Sequence, residues 1–406
     1  MSSVSELGSS PTPPWLGGGS PAARAAFVLA VVLVMLATSG WTAIQDHGTG
    51  PSPRAAALKA WRHGSIDGRR LPSAEAPPQE VSRFFRSLSA DQRHRLADRH
   101  PLVVGNLDGA PLTLRYEANR TSLEQARAHE RQRARDDRLT QLGREEAERL
   151  VHRYDSLLGE DRQILAFDPT GIGRAAEVFG DLEKADRVSV VVPGVDTNLV
   201  NFERTHKKYR APVGMAQALY DAERTERPEG RTAVIAWADY TAPAGIGVDA
   251  AAGRLAERGA VRLRGLVEAL PGSARSVALF CHSYGSVVCG VAASQLPDRV
   301  TDIAVAGSPG MRAANTGDLG GNSRIWAMRD AGDWIADIPF LEIGQLGHGP
   351  DPVTPEFGAR RLSAAGAGGH GGYFVPGTVS LDNFAKVGVG ALASVSCAGS
   401  AGACQR

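Results

Sequence analysis

The chain lacks an excess of charge of either sign: 45 lysines and arginines face 44 aspartates and glutamates, leaving a formal net charge of +1. A protein that grips phosphate backbones needs a cationic surplus or stripe. Here the local basic runs are interleaved with acids, so no nucleic-acid partner is expected. Cysteine is scarce, at four residues. Four fit an oxidising compartment and allow three pairings. Cys397 and Cys404 bracket a Gly/Ala/Ser loop near the end, and Cys281 and Cys289 form the other couple; in each, a disulfide competes with free thiols. Internal repeats are absent. Long uncharged apolar runs are absent too, with one exception.

That exception is AAFVLAVVLVMLA at 25–37, preceded by Arg24 and reaching 17 residues when counted through Trp41. Such a length is the low end for crossing a bilayer. A signal peptide cut near Ala37-Thr38-Ser39 is one reading. The leading stretch 1–24, however, is long, rich in Ser, Pro and Gly, and holds a single arginine, a poor start for a cleaved signal. The preferred reading is a signal anchor over 25–41, with 1–24 a disordered cytoplasmic tail and the catalytic part extracytoplasmic at the cell membrane. Secretion after cleavage is the alternative.

What is present is ordinary globular composition, 43% hydrophobic and 22% charged. Proline-rich residues 42–78 read as a linker. Residues 79–160 read as a helical region, opening with one helix in EVSRFFRSLSADQRHRLADRH. A turn-rich PLVVGNLDGAPLTLRYEANR follows, then a long helix starting near Thr121 or Ser122. The charged half of that helix, around 124–138, is a solvated face. Its apolar stripe from Leu139 to Leu158 is core packing. From about 161 to 396, short β-branched runs (ILAFD, VSVVVPG, TAVIAW, SVALFC, IAVAGSPG, RIWAM) alternate with helix-like stretches such as MAQALYDAER. This alternation predicts an α/β fold with a mostly parallel, doubly wound sheet. Residues 397–406 form a tail.

The chemistry concentrates at CHSYGS. A nucleophile elbow is usually G-x-S-x-G at a sharp strand-to-helix turn, and this one lacks its first glycine, with Cys281 in that position. Strand SVALFC before and helix SYGSVVCGVAASQL after still place Ser283 on the turn, where free helical N–H groups favour a developing oxyanion. A serine hydroxyl needs a base, and the base a carboxylate to orient it. In this fold they follow in the order Ser, acid, His. RDAGD after RIWAM offers Asp333, with Asp330 as the alternative acid. Only His348 and His370 follow Ser283, and His370, in the glycine-rich GAGGHGGYF, is the expected base. His282 reads as a packing or turn residue. The oxyanion donors are expected at the backbone N–H of Tyr284 and, in VSVVVPGVDTN, of Val195, with Asp196 second.

These residues, together with "HPLVVGNLDGAPLTLRYEANR", "VVVPGVDTN", "CHSYGSVV", "GSPGM", "PEFGARRL" and "GHGGYF", make the chain resemble an actinobacterial α/β-hydrolase family of unknown function over roughly 80–390. The resemblance implies an α/β-hydrolase core behind a helical N-terminal region, with Ser283 as nucleophile and His370 as base. It names no substrate. The expected function is a serine esterase-like hydrolase using a Ser-His-Asp triad on a small-molecule or lipid ester, with no metal and no cofactor. The same parts would serve an amidase. Two competitors remain: an inactive envelope-binding scaffold using the charged helix as its partner surface, and thiol chemistry at Cys281.

Overall fold

Eight strands share one sheet: β1 Gln163–Asp168, β2 Arg174–Phe179, β3 Arg187–Val192, β4 Thr232–Ala238, β5 Ser276–His282, β6 Val300–Ala306, β7 Arg324–Met328 and β8 Arg360–Arg361. Their order is β8-β7-β6-β5-β3-β4-β2-β1. All run parallel from β8 to β4, and β2 and β1 are antiparallel additions at one edge. The structure is a computed structural model that describes residues 52–399 and Cys404. The apolar segment 25–41 and the tail before it lie outside the described residues. Among those described, no helix is long and apolar enough to cross a membrane.

The central strands are buried on both faces, as parallel strands covered by crossover helices must be. On one face Val190, Val192, Leu279 and Cys281 pack against helices α7 (Arg254–Ala269) and α8 (Gly285–Ala292). On the other, Val191, Ala278 and Phe280 meet α6 (Pro212–Glu226) and α9 (Val379–Val389). Phe280 is fully buried with its ring 5.0 Å from that of Phe384. Each such side chain contributes about 1.5–3 kcal/mol over leaving it exposed.

The helical region is finer-grained than its periodicity implies. The single helix expected from Val81 is two, α2 (Pro78–Arg86) and α3 (Ala90–Arg99). A capping box divides them: the Ser89 hydroxyl accepts from Gln92 N and Ser89 N donates to the Gln92 side chain, satisfying two orphan donors at once. The long helix begins at Leu112, nine or ten residues early, and it too is two, α4 (Leu112–Arg133) and α5 (Gln141–Leu157), the second capped by Thr140. The charged face of α4 is partly paired, since Arg127 and Arg131 both reach Asp155 on α5. The stretch read as a linker is not bare chain over its described part. Helix α1 (Pro53–Arg62) and a small hairpin, Ser65–Ile66 with Arg69–Arg70, occupy it, and Trp61 is buried with Phe85 and Val104. A tryptophan of that size, seated in an apolar cluster, outweighs the local prolines.

The GNLDGAPLTLRYEANR stretch is built into the edge of the sheet. The Asn106 side chain donates to Phe167 O at 2.7 Å and accepts from Phe167 N at 3.0 Å, as a neighbouring strand would. Asn119, fully buried, donates to Ile164 O and Gly105 O. Both satisfy backbone groups of edge strand β1 that would otherwise be open to pairing with another chain.

Candidate active site

Ser283 sits between the last residue of β5 and the first turn of α8, and its φ is +54°. A left-handed conformation costs a non-glycine residue roughly 1–2 kcal/mol, so its surroundings must impose it. Ser283 N donates to Ala306 O at the end of β6, and Ser286 N returns to Ser283 O. Gly285 packs so tightly on the end of β3 that a Cβ there would lie 2.2 Å from Val192 O. The second glycine of the motif is therefore sterically required. The first is not: Cys281 points to the α7/α8 face and is disulfide-bonded to Cys289, one helix away. No free thiol remains among the described residues, so Cys281 offers no thiolate nucleophile in this structure. Cys397 and Cys404 form the second disulfide.

The strand order brings the other expected residues to the same edge. Asp333 follows β7, and His370 follows β8 on the glycine-rich loop. His370 Nδ1 lies 2.8 Å from one Asp333 carboxylate oxygen and 3.1 Å from the other. Asp333 is almost wholly buried, which raises its pKa. Hydrogen bonds from His370, from the Tyr373 hydroxyl and from Ile335 N overcome this and hold it below the usual value. An ionised carboxylate only accepts, so Nδ1 carries the imidazole proton and Nε2 presents its lone pair. Asp330 does something else: its Oδ1 accepts from Gly332 N and from Gly369 N, pinning the His370 loop. His348 lies elsewhere, bonded through Nε2 to Ala250 O with its ring against Tyr284.

His370 reaches the serine turn by two routes. Gly307, directly after the Ala306 that bonds Ser283, has φ +55°, and a Cβ there would meet Asp333 Oδ2 at 2.7 Å and His370 Nδ1 at 3.0 Å. On the other side His282 donates from Nε2 to the His370 carbonyl at 2.6 Å, their rings 4.8 Å apart. Burial, reinforced by the neighbouring His370, pushes the His282 pKa down to about 3, so it stays neutral. His282, expected only as a packing or turn residue, thus holds the His370 backbone, and the Tyr373 hydroxyl holds the Asp333 carboxylate. The signal in the sequence was position: His282 directly precedes Ser283, and Tyr373 lies three residues after His370.

The loop after β3 presses directly on the serine. A Cβ on Gly194 would lie 2.6 Å from Ser283 Cβ and 2.9 Å from Oγ. The Tyr240 hydroxyl holds Pro193 O at 2.6 Å and Thr197 holds Gly194 O. Asp196 N, the second-choice donor, is already used by Pro243 O, and its carboxylate takes Gly245 N. The N–H groups of Val195 and Tyr284 have no acceptor among the described residues. Also among those residues, no group of His, Cys, Asp or Glu is arranged to hold a metal ion.

Comparison with known proteins bears on the family and the fold. A family profile described as alpha/beta hydrolase matches residues 168–343. An uncharacterized protein of Mycobacterium tuberculosis is 28% identical over 347 residues, covering 72% of this chain and 51% of that protein. One of Mycobacterium bovis is 31% identical over 198 residues, covering 46% of this chain and 71% of its own length. The chain thus spans about half the length of the first of these relatives. The solved 2,6-dihydroxy-pseudo-oxynicotine hydrolase aligns with 68% of this chain and 78% of its own at 13% identity, with a TM-score of 0.28, too low to transfer anything from it. By sheet, profile and relatives, the chain belongs to the alpha/beta-hydrolase family, in the actinobacterial group of unknown function that the mycobacterial proteins represent.

Proposed function

We propose that the protein is a serine hydrolase that cleaves a carboxylic ester through an acyl-enzyme. The observation that carries this is the hydrogen-bonded Asp333–His370 couple, tied through His282 and Gly307 to the turn that holds Ser283 at positive φ. His370 Nε2 takes the Ser283 proton as Oγ attacks the carbonyl carbon. The N–H groups of Tyr284 and Val195 receive the oxyanion, at the end of a helix whose field already favours negative charge. His370 then protonates the departing alcohol and activates a water for deacylation. Asp333 keeps the proton on Nδ1 and offsets the imidazolium charge, while Tyr373 keeps Asp333 in place.

The two disulfides support an exported catalytic domain, because such bonds persist in oxidising compartments. The apolar run at 25–41 supports attachment to the cell membrane. The test is covalent labelling of the folded protein with a fluorophosphonate probe. Labelling is expected in the wild type and is lost in Ser283→Ala. Labelling that survives that substitution moves the nucleophile elsewhere, and a folded protein that never labels sinks the hydrolase reading.

A further inference from the structure

Two segments of contrasting chemistry are tied to the site, one to Tyr284 and one to the His370 loop. On the oxyanion side, the loop bonded to Asp196 continues into residues 246–252, and the segment 341–347 crosses it through an Ala252–Leu346 bridge. Tyr284 ties this pair to the nucleophile, its hydroxyl donating to Ala252 O and accepting from Ala256 N. Ile246, Val248, Leu341, Ile343 and Leu346 project from these two segments, 67%, 43%, 46%, 73% and 46% exposed. Five of the nine large apolar side chains that stand exposed among the described residues lie on these two bridged segments, a clustering that marks a binding surface.

On the histidine side the partly exposed Trp334 ring packs 4.7 Å from that of His370, and the segment next to it adds cationic side chains. Residues 204–210, RTHKKYR, lie a few residues beyond the oxyanion loop, and the Arg210 side chain lies so close to Gly371, next to His370, that a Cβ there would meet it at 2.6 Å. The one nearby acid in this segment, Glu203, is already taken by Arg153 and Arg162. Arg204, Lys207, Lys208 and Arg210 are exposed and have no acidic partner among the described residues.

Resting on the serine-hydrolase reading, we infer that the substrate is an amphiphilic ester: an apolar acyl chain lies on the 246–252/341–347 collar, and the leaving alcohol carries an anionic group that the 204–210 arm receives. The chemistry assigns the sides. The Ser283 Oγ–carbon bond forms with the carbonyl oxygen on the N–H groups of Tyr284 and Val195, so the acyl chain leaves toward the collar. The carbon–oxygen bond to the alcohol breaks where His370 returns the proton, so the alcohol leaves toward the arm.

The probes are four esters of 3-hydroxy-4-nitrobenzoate and its uncharged carboxamide, each acylated with acetate or octanoate, read by nitrophenolate release. The anionic octanoate is expected to show a kcat/KM about tenfold above the carboxamide octanoate and at least about tenfold above the anionic acetate. About 0.5 M salt shrinks the first ratio by screening exposed charges. Lys208→Gln with Arg210→Gln brings the first ratio toward one, and Ile343→Ser with Leu346→Ser does so for the second. Equal rates on all four esters, ratios untouched by these substitutions, or a probe-labelled enzyme that cleaves none of them would each overturn the assignment while leaving the nucleophile in place. Absence of both labelling and cleavage overturns the underlying hydrolase reading as well.

Discussion

Removing the Cys281–Cys289 disulfide should weaken the domain without disarming Ser283. The bond closes a loop of eight residues, and chain-entropy reasoning assigns such a loop about 2.5 kcal/mol of stabilisation. In Cys281→Ala/Cys289→Ala, loss of two buried sulfurs adds a further cost on the order of 1 kcal/mol. The serine turn itself is held by other means: the Ser283 N to Ala306 O bond, the Gly285 contact with Val192 O and the Gly194 contact with the serine. None of these passes through sulfur. Denaturant unfolding should therefore show a stability lowered by about 3.5 kcal/mol, with a slope equal to or slightly above that of the wild type. Fluorophosphonate labelling under native conditions should proceed within about threefold of the wild-type rate, since a factor of that size corresponds to well under 1 kcal/mol. A folded double variant that no longer labels would refute the reasoning, because it would mean that the bond maintains the strained turn.

Asp333→Asn should lower esterase turnover by about 10³–10⁴-fold, because an amide oxygen no longer stabilises the imidazolium and an amide N–H can reverse the tautomer. Asp330→Asn, which only loosens the loop at Gly369, should cost about tenfold; comparable losses would contradict the separation of their roles. Gly194→Ala should abolish labelling in a protein that still folds, since its methyl would overlap Ser283. Glu223 is buried on the far face, where it accepts from the Ser189 and Thr232 hydroxyls, and burial raises its pKa from 4.5 to about 7. Between those two pH values the unfolded chain has released the proton and the folded one still holds it, so stability falls as pH rises, by about 3 kcal/mol in total. Glu223→Gln should be close to neutral at pH 4.5 and stabilising at pH 8 by thermal melting.

The core of the fold was legible wherever local pattern and burial agree. The β-branched runs at 187–192, 276–282 and 300–306 are strands because they are buried on both faces, and their composition shows it. β2, RAAEVF, was not read as a strand: it is rich in alanine, and its Glu177 is buried only because Arg162 reaches it from outside the strand. The two-residue β8 has no signal of its own and exists by pairing with β7. In the helical region, Ser89-x-x-Gln92 was a visible capping box inside a periodic stretch, while the break between α4 and α5 carries no glycine or proline to announce it.

Residue type and order alone narrowed the site to Ser283, His370 and one of two aspartates, and to two backbone donors. Chain order along a parallel sheet carries that much, because each crossover delivers its following loop to the same edge. The tertiary structure decided the rest. It distinguishes Asp333 from Asp330 by which carboxylate reaches the imidazole, and it removes Asp196 N from the free donors by bonding it to Pro243. It also accounts for the missing first glycine. Close packing against β3 falls on Gly285, whereas Cys281 faces helix α8 and has room for a side chain, and for a bond to Cys289. Most of these distinctions depend on which groups from distant segments meet, as Asp333 meets His370 and Asp196 N meets Pro243 O, and no local pattern encodes that.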